Sequence, residues 1–504
     1  MQINITIGTT KHTVPFEKNQ TILEALQANG IHVVNAPCGG RGRCGKCTVT
    51  VEGLGDVLAC TTKAKEDMYV TIPREQLDAG KARIAEEGIC RHYKPDGEVS
   101  LAAACDIGTT TVVCHLLDGK TGQKLATVSE PSAQRGFGAD VLSRIQAADA
   151  GNLELLHEQI TGQIRHMLAQ MQEKTKRKEN IERLAIVGNT VMSHLAAGIS
   201  PSLIGVTPFM PKEFFGREFS GKEIGIPECD KVYIAPAVAG FLGGDITADL
   251  IAVMHGNEKK KTLLLDVGTN GEMAVGSGNH YMCCATAVGS AFEGAQMTMG
   301  MPAAPGAVSH VWLDKRRLRL EVIEDIEARG ICGSGLIDSL AVMLEMGILD
   351  DTGLLKKPGE VSVAFRRYLG EYRGQPCMWL VPGKICMTQE DIRGLQLAKA
   401  AFAAGLHILL RESKTEYKEI DRVILAGGFG SYLNKESAAK IGLIPKELLP
   451  VTESVGNAAG EGAVSAAISC EAREKLGIMK ESMQYIELSS HPDFSEAYMQ
   501  QMGF

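Results

Sequence analysis

The chain has 504 residues, 44% hydrophobic and 22% charged, with a formal net charge of −8. That composition is globular and excludes bulk disorder, and the length suggests several domains. The acidic balance argues against a nucleic-acid partner bound by phosphate neutralisation, and no apolar run approaches the roughly 18 residues of a membrane span. Met1 to Gly8 alternates like a strand and lacks the basic-then-apolar pattern of a signal peptide, so a cytoplasmic protein is expected.

Residues 1–72 read as one small β-rich module. Gln2-Ile3-Asn4-Ile5-Thr6-Ile7 alternates with period two and predicts a strand. His12 to Val14 predicts its partner, returning across Gly8-Thr9-Thr10. Thr21 to Leu26 predicts a helix, with Thr21 as N-cap, Glu24 completing a capping box and Gly30 as the stop. Thr48 to Val51 and Met68 to Ile72 predict further strands. This order predicts a β-grasp arrangement, too small to be stable on its core alone.

Within it, Cys38, Cys44, Cys47 and Cys60 have the spacing C-x5-C-x2-C-x12-C. Two irons and two sulfides need four thiolates, and three from one loop plus one from elsewhere is the plant-type pattern. Gly39, Gly40, Gly42 and Gly45 allow the loop to curl tightly and aim backbone N–H groups at sulfur. Zinc is the competing ion, but a zinc ribbon usually carries two CxxC knuckles and this segment has one. The pattern therefore predicts a [2Fe–2S] cluster. Leu58-Ala59-Cys60-Thr61 resembles the fourth-ligand segment of β-grasp ferredoxins, where the gap before that ligand is much longer; a shortened hairpin would account for the difference. Residues 36–65 carry five Lys/Arg and two Asp/Glu, either a solvated rim or a docking face for an acidic redox partner. The ten cysteines outside the cluster, Cys105 and Cys114 among them, are expected to be small buried hydrophobes.

Residues 73–100 read as a linker. Pro73 breaks the last strand, Arg74 to Glu87 is polar and weakly helical, and Tyr93-Lys94-Pro95-Asp96-Gly97 is a turn cluster. A short surface helix is expected there.

From residue 101 onward strands and helices alternate, which predicts an α/β fold. Leu153 to Met171, Gln389 to Leu410 and Asn457 to Ile468 predict helices. Leu101 to Thr111 is echoed by Leu263 to Gly271: each is an apolar strand, then Asp-[Ile/Val]-Gly-Thr, then another strand. One such turn is a weak signal, but two copies in one chain indicate a duplicated domain. Gly108 and Gly268 let backbone approach a phosphate, and Thr109, Thr110, Thr111, Thr269, Asn270 and Gly271 supply hydroxyl, amide and backbone donors. Asp106 and Asp266 can hold Mg²⁺ directly or through water. A third element, Val423 to Ser431, is an apolar strand ending in Gly427 and Gly428, where a flat nucleoside can lie against backbone.

This three-motif order resembles the ATPase superfamily of actin, sugar kinases, acetate kinase and the large heat-shock chaperones, over about residues 101–470. The resemblance implies a duplicated actin-like (ribonuclease H-like) domain at 101–504: lobe one about 101–255, lobe two about 262–455, and C-terminal helices 456–504. It also implies that the helix opening at Gly243-Gly244-Asp245 joins the lobes, with Asp245 as the carboxylate for an attacking water; an N-cap role is the alternative. Asn457 to Ala463 resembles the second connecting helix, with Glu461 in a packing role. Gly136 to Arg144 and Val187 to Met192 are expected to be helix starts, with an Asp140–Arg144 pair and an Asn189 cap, or else to line the cleft.

A ferredoxin module followed by such an ATPase resembles the reductive activators of corrinoid proteins, over nearly the whole chain; Gly330 to Asp338 also looks like a segment of that family. Larger members carry a further domain for which 73–100 has no room. The resemblance implies ATP-dependent transfer of an electron from the cluster to an inactive Co(II) corrinoid, giving Co(I). It implies MgATP, a methyltransferase corrinoid protein as partner, a low-potential donor such as ferredoxin or flavodoxin, and a homodimer as a compatible assembly. The alternatives are an ATP-driven donor to another low-potential metalloenzyme, like the activators of 2-hydroxyacyl-CoA dehydratases, a redox-sensing chaperone-like ATPase, and a sugar kinase.

Overall fold

The computed structural model describes residues 1–31, 33–73, 85–294, 297–430 and 432–504. The first sheet holds β1 (Gln2–Ile7), β2 (Thr10–Pro15), β3 (Thr48–Val51), β4 (Gly55–Leu58) and β5 (Tyr69–Ile72) in the order β2-β1-β5-β3-β4. β1 runs antiparallel to β2 and parallel to β5. The predicted helix spans Ile22–Ala28, and its capping box is complete: the Glu24 amide donates to Thr21 Oγ1 and the Thr21 amide to Glu24 Oε2. Ile22, Leu23, Ala25 and Leu26 bury the helix against Ile3, Ile5, Val49 and Val70, the β-grasp arrangement. The β3–β4 hairpin fills the whole interval from Cys47 to Cys60, which is why the last spacing is short.

Two six-stranded sheets follow. The first contains β6 (Leu101–Ile107), β7 (Thr111–Asp118), β8 (Lys124–Pro131), β9 (Ile181–Val187), β10 (Arg217–Ser220) and β11 (Cys229–Ile234), ordered β10-β11-β9-β6-β7-β8. Lobe two begins with β12 (Thr262–Val267), β13 (Gly271–Ser277) and β14 (His280–Thr286). Two three-stranded sheets are inserted, β15 (Ala307–Asp314), β16 (Arg317–Val322) and β17 (Gly330–Ile331), then β18 (Leu369–Tyr372), β19 (Gln375–Val381) and β20 (Ile385–Thr388). β21 (Arg422–Ala426), β22 (Thr452–Gly456) and β23 (Gln484–Ile486) complete the second large sheet, ordered β22-β21-β12-β13-β14-β23. In both sheets an antiparallel three-strand meander is extended by parallel strands, β9 beside β6 and β21 beside β12. The duplication read from the two Asp-x-Gly-Thr turns is thus a duplication of sheet topology.

Strand alternation decides where the cores lie. Leu101, Ala103 and Cys105 face the outer core of lobe one, while Ala102 and Ala104 face a central core between the lobes. Leu263 and Leu265 likewise face outward and Leu264 inward. The central core is filled by the helices Gly244–Met254 and Ala458–Ile468. They cross so closely that a Cβ at Gly462 would lie 2.3 Å from the Ala248 carbonyl oxygen.

Two expectations are corrected. Cys105 and Cys114 are buried as expected but are not free: antiparallel register sets them opposite each other on β6 and β7, and they are bonded as a disulfide. The surface helix expected in the linker falls almost wholly on 74–84, outside the described residues, and the described part is 85–100. It lies along lobe two, with the Ile89 amide donating to the Val455 carbonyl, the Asn457 amide to the Glu87 carbonyl and the Asp96 amide to the Ile468 carbonyl. Tyr93 is buried there and stacks on His255. The 456–504 segment is not all helix, since β23 pairs with β14.

Candidate iron–sulfur loop and nucleotide cleft

The four cysteines of the loop form two pairs. Cys38 Sγ and Cys44 Sγ are 3.4 Å apart, and Cys47 Sγ and Cys60 Sγ are 3.2 Å apart, all unbridged. A two-iron cluster asks for this, since each iron takes two thiolates. A single zinc would draw all four to one point. Gly39, Gly40, Gly42 and Gly45 all adopt positive φ, between 62° and 77°, a curl closed to most side chains. The curl points the Arg41, Arg43 and Cys44 amides at the Cys38 sulfur. Burial pushes that thiol up, and these donors outweigh it and bring it down to about 7. Paired sulfurs and amide donors fit a [2Fe–2S] group.

In the second half, β6 and β12 carry Asp106 and Asp266 as their penultimate residues, and the turns behind them meet across a cleft. Thr110 Oγ1 and Thr269 Oγ1, from opposite lobes, are 3.3 Å apart. A cavity of about 320 Å³ opens there, lined by Asp106, Gly108, Thr109, Thr110, Thr111, Asp245, Asp266, Gly268, Thr269, Asn270, Gly427 and Gly428. Gly271 is the exception among the sequence-selected residues. A Cβ on it would come 2.7 Å from both Phe402 and Val288, so it is glycine for packing under the hairpin. Gly427 sits at φ 84°, and a Cβ there would lie 2.1 Å from Asp266 Oδ1; its small size lets the third motif close onto the second. A Cβ on Gly428 would meet nothing within 4 Å, which leaves its backbone open to the cleft.

Asp245 lies in the first turn of Gly244–Met254, but the N-cap is Gly243, so the capping alternative does not hold. Its Oδ1 accepts from the Ile246 amide at 2.9 Å. Asp249 follows one helical turn later on the same face, and Glu272 stands opposite Asp266 in the β12–β13 register. These two carboxylates escaped the sequence reading, although i, i+4 spacing and the hairpin register could have found them. With Asp106, Asp245 and Asp266 they form the floor of the cleft. Burial, reinforced by the Asp245 charge, pushes Asp106 up to about 7 despite a hydrogen bond from Asn457. Burial also raises Asp245 and Asp266, and holds Asp249 and Glu272 well above the usual carboxylate range. Asp249 lies carboxyl to carboxyl with Asp266, and Glu272 with Asp245. Five mutually repelling carboxylates at a cleft floor suit a divalent cation, which would reverse the sign of the local potential.

The opposite wall suits an anion. Arg144 is fully buried and donates to the Thr109 carbonyl and, at 3.2 Å, to Gln134 Oε1. The expected Asp140–Arg144 pair is a charge interaction, while the Asp140 carboxylate caps its helix by accepting from the Ser143 amide. Asn189 both caps, accepting from the Met192 amide, and reaches the cleft, donating to Thr109 Oγ1 at 3.0 Å. The helix Gly333–Glu345 has no side-chain cap, and Cys332, Gly333 and Ser334 at its N-terminus line the same cavity.

The two sites adjoin. Asn35, Pro37 and Lys46 of the ferredoxin module line the cleft cavity. Lys46, between Cys44 and Cys47, donates to the Met297 and Gly300 carbonyls of lobe two at 3.0 Å each. The Ala139 amide of lobe one donates to the Pro37 carbonyl, Gln27 Nε2 to the Gly136 carbonyl, and Arg41 to Gln146. Part of the basic patch therefore faces the two lobes of the chain's second half.

Family models match almost end to end. Residues 2–75 match a 2Fe-2S iron-sulfur cluster binding domain, 101–257 the RACo middle region, and 260–504 the C-terminal domain of RACo, the ASKHA domain. A corrinoid activation enzyme, RamQ of Eubacterium limosum, is 30% identical over 561 aligned positions, covering 94% of each chain. The chain belongs to the RACo family. A second relative, the [Co(II) methylated amine-specific corrinoid protein] reductase of Methanosarcina barkeri, is 25% identical over 68% of this chain and 65% of its own length. Among solved structures, a reductive activator for corrinoid, iron-sulfur protein superposes with a TM-score of 0.71 at 27% identity, covering 100% of this chain and 98% of the other. A ferredoxin module followed by an actin-like ASKHA domain is thus the family architecture.

Proposed function

We propose that this chain is an ATP-dependent reductive activase, delivering one electron to the inactive Co(II) corrinoid of a methyltransferase corrinoid protein and so regenerating Co(I). The observation that carries the reading is the shared wall. Lys46 lies between two cluster cysteines and lines the cavity into which both phosphate hairpins project. A bound [2Fe–2S] group supplies one-electron chemistry, with Cys38 and Cys44 as one ligand pair and Cys47 and Cys60 as the other. Downhill transfer needs no ATP, so ATP closure serves to change how the activator docks on its acceptor.

In this reading Thr109, Thr110, Thr111, Thr269 and Asn270 donate to phosphate oxygens, with Gly108 and Gly268 admitting the backbone approach. Gly427 and Gly428 flank the nucleoside. Asp106 and Asp266 would hold Mg²⁺. Asp245, on the cleft floor in the first turn of Gly244–Met254, would take the proton of the attacking water. The domain limits are 1–72, a linker at 73–100, and 101–504 with lobes of about 101–255 and 262–455. The electron donor is a low-potential ferredoxin or flavodoxin, the compartment the cytoplasm, and a homodimer is the assembly to test by mass. No helix among the described residues is long and apolar enough to cross a membrane.

The test is anaerobic. Reduced protein is mixed with a panel of Co(II) corrinoid methyl-carrier proteins, and Co(I) absorbance is followed with and without MgATP. Co(I) appearing only with ATP is expected. Persistent Co(II) across the panel, with the protein still reduced and ATP hydrolysed, overturns the reading.

A further inference from the structure

Glu293 is a cleft residue that the reading above leaves without a task. It follows β14, and each of its carboxylate oxygens is engaged by a different lobe. Oε2 accepts from Thr110 Oγ1 at 2.7 Å and Oε1 from Thr269 Oγ1 at 2.8 Å. Burial raises this carboxyl, and the two hydroxyls and the Arg144 charge act against that rise. The position is therefore furnished for an anion: two hydroxyl donors converge on it and a buried guanidinium stands behind them. A phosphate gripped by both hairpins would need the same two donors. Each hydroxyl has one proton to give, so neither can serve Glu293 and a phosphate at once.

We propose that in the nucleotide-free chain the Glu293 carboxylate occupies the terminal-phosphate position of the cleft, and that competition for this position is how the cleft distinguishes ATP from ADP. The proposal rests on the reading of the cleft as an ATP site. Glu293 latches lobe one to lobe two through Thr110 and Thr269. ATP brings a third phosphoryl group, which takes both hydroxyls and expels a like-charged carboxylate. ADP is one phosphoryl group shorter and leaves the latch closed. The same stretch of chain carries the Met297 and Gly300 carbonyls that hold Lys46, so release of Glu293 bears on the wall shared with the cluster loop.

The test is equilibrium binding of a non-hydrolysable ATP analogue and of ADP, both with Mg²⁺, to the cluster-loaded full-length protein. Glu293→Gln keeps the shape and removes the charge. The expected result is analogue binding tighter by about tenfold, with ADP affinity held within about twofold. Glu293→Asp keeps the charge but is too short to reach both hydroxyls, and an intermediate gain for the analogue alone is expected. The proposal is overturned if variants with an intact visible spectrum and thermal transition bind the analogue no better, or if the two affinities move together. A wild-type protein that binds neither nucleotide overturns the ATP-site reading itself, a result distinct from an unchanged ATP-to-ADP ratio.

Discussion

At the cluster loop, four sulfurs are gathered by one stretch from Cys38 to Cys60, and backbone amides are turned toward a thiolate. At the cleft floor, five carboxylates come from β6, β12, β13 and the helix Gly244–Met254, and burial pushes them toward their neutral forms. The first site is prepared for its group by its own backbone. The second gathers carboxylates whose charge burial disfavours, and it exists only once two lobes have packed. The loop is therefore expected to lose its function without disturbing the cleft, and the reverse, while residues joining the two should separate binding from coupling.

The largest effect is expected from Cys44→Ser. It removes one sulfur of the Cys38–Cys44 pair, so visible cluster absorbance and corrinoid reduction should be lost, while nucleotide affinity stays within about twofold. Retained reduction in that variant would sink the electron path. Asp266→Ala is the mirror experiment: the visible spectrum should persist while steady-state ATP hydrolysis falls by about a hundredfold or more.

Glu461 probes the framework that holds the sites together. It is 1% exposed, and it accepts from Lys124 at 2.8 Å, from the Gly88 amide at 2.6 Å and from His92 at 2.5 Å, fastening the connector and β8 to the helix Ala458–Ile468. Glu461→Gln should cost about 2 kcal/mol in denaturant unfolding, because it weakens the charge-assisted bonds from the half-buried Lys124 and from His92. Burial pushes the Glu461 carboxyl up, but bonds from His92, Gly88 and Lys124 prevail and hold it at about 2. A depressed carboxyl contributes stability in full above its unfolded value near 4.5, and that contribution is lost as pH falls toward about 2. Wild-type stability should decline through that window, and the variant should lack that component; parallel acid curves would contradict this assignment.

The smallest effect is expected at the junction. Lys46→Ala should keep both cluster absorbance and ATP binding but weaken ATP stimulation of corrinoid reduction by about fivefold, at the low end of ordinary coupling energies. Unchanged stimulation would show that the Met297 and Gly300 contacts carry no signal.

Legibility in the sequence followed locality. The β1–β2 hairpin, the capped helix Ile22–Ala28 and both Asp-x-Gly-Thr hairpins were readable because each is set by residues within a few positions of one another. The long helices were readable from their apolar spacing, with Leu153–Thr175 and Gln389–Glu412 running slightly beyond the expected ends. The Asp140–Arg144 charge pair was visible, but only the tertiary fold swings the guanidinium behind Thr109. The Cys105–Cys114 bond and the laced connector of 85–100 lay beyond composition for the same reason.

By itself the sequence determined the kinds of chemistry: a four-thiolate loop, duplicated phosphate hairpins, and the glycines that let each backbone curl. Spacing along the chain carries that information, since backbone conformation is a short-range property. The tertiary structure alone decided which carboxylates share the cleft floor, that Glu293 spans Thr110 and Thr269, and that Lys46 of the cluster loop lines the cleft cavity. Those facts depend on side chains far apart in sequence being brought within a few ångströms by the packing of two lobes and a docked module.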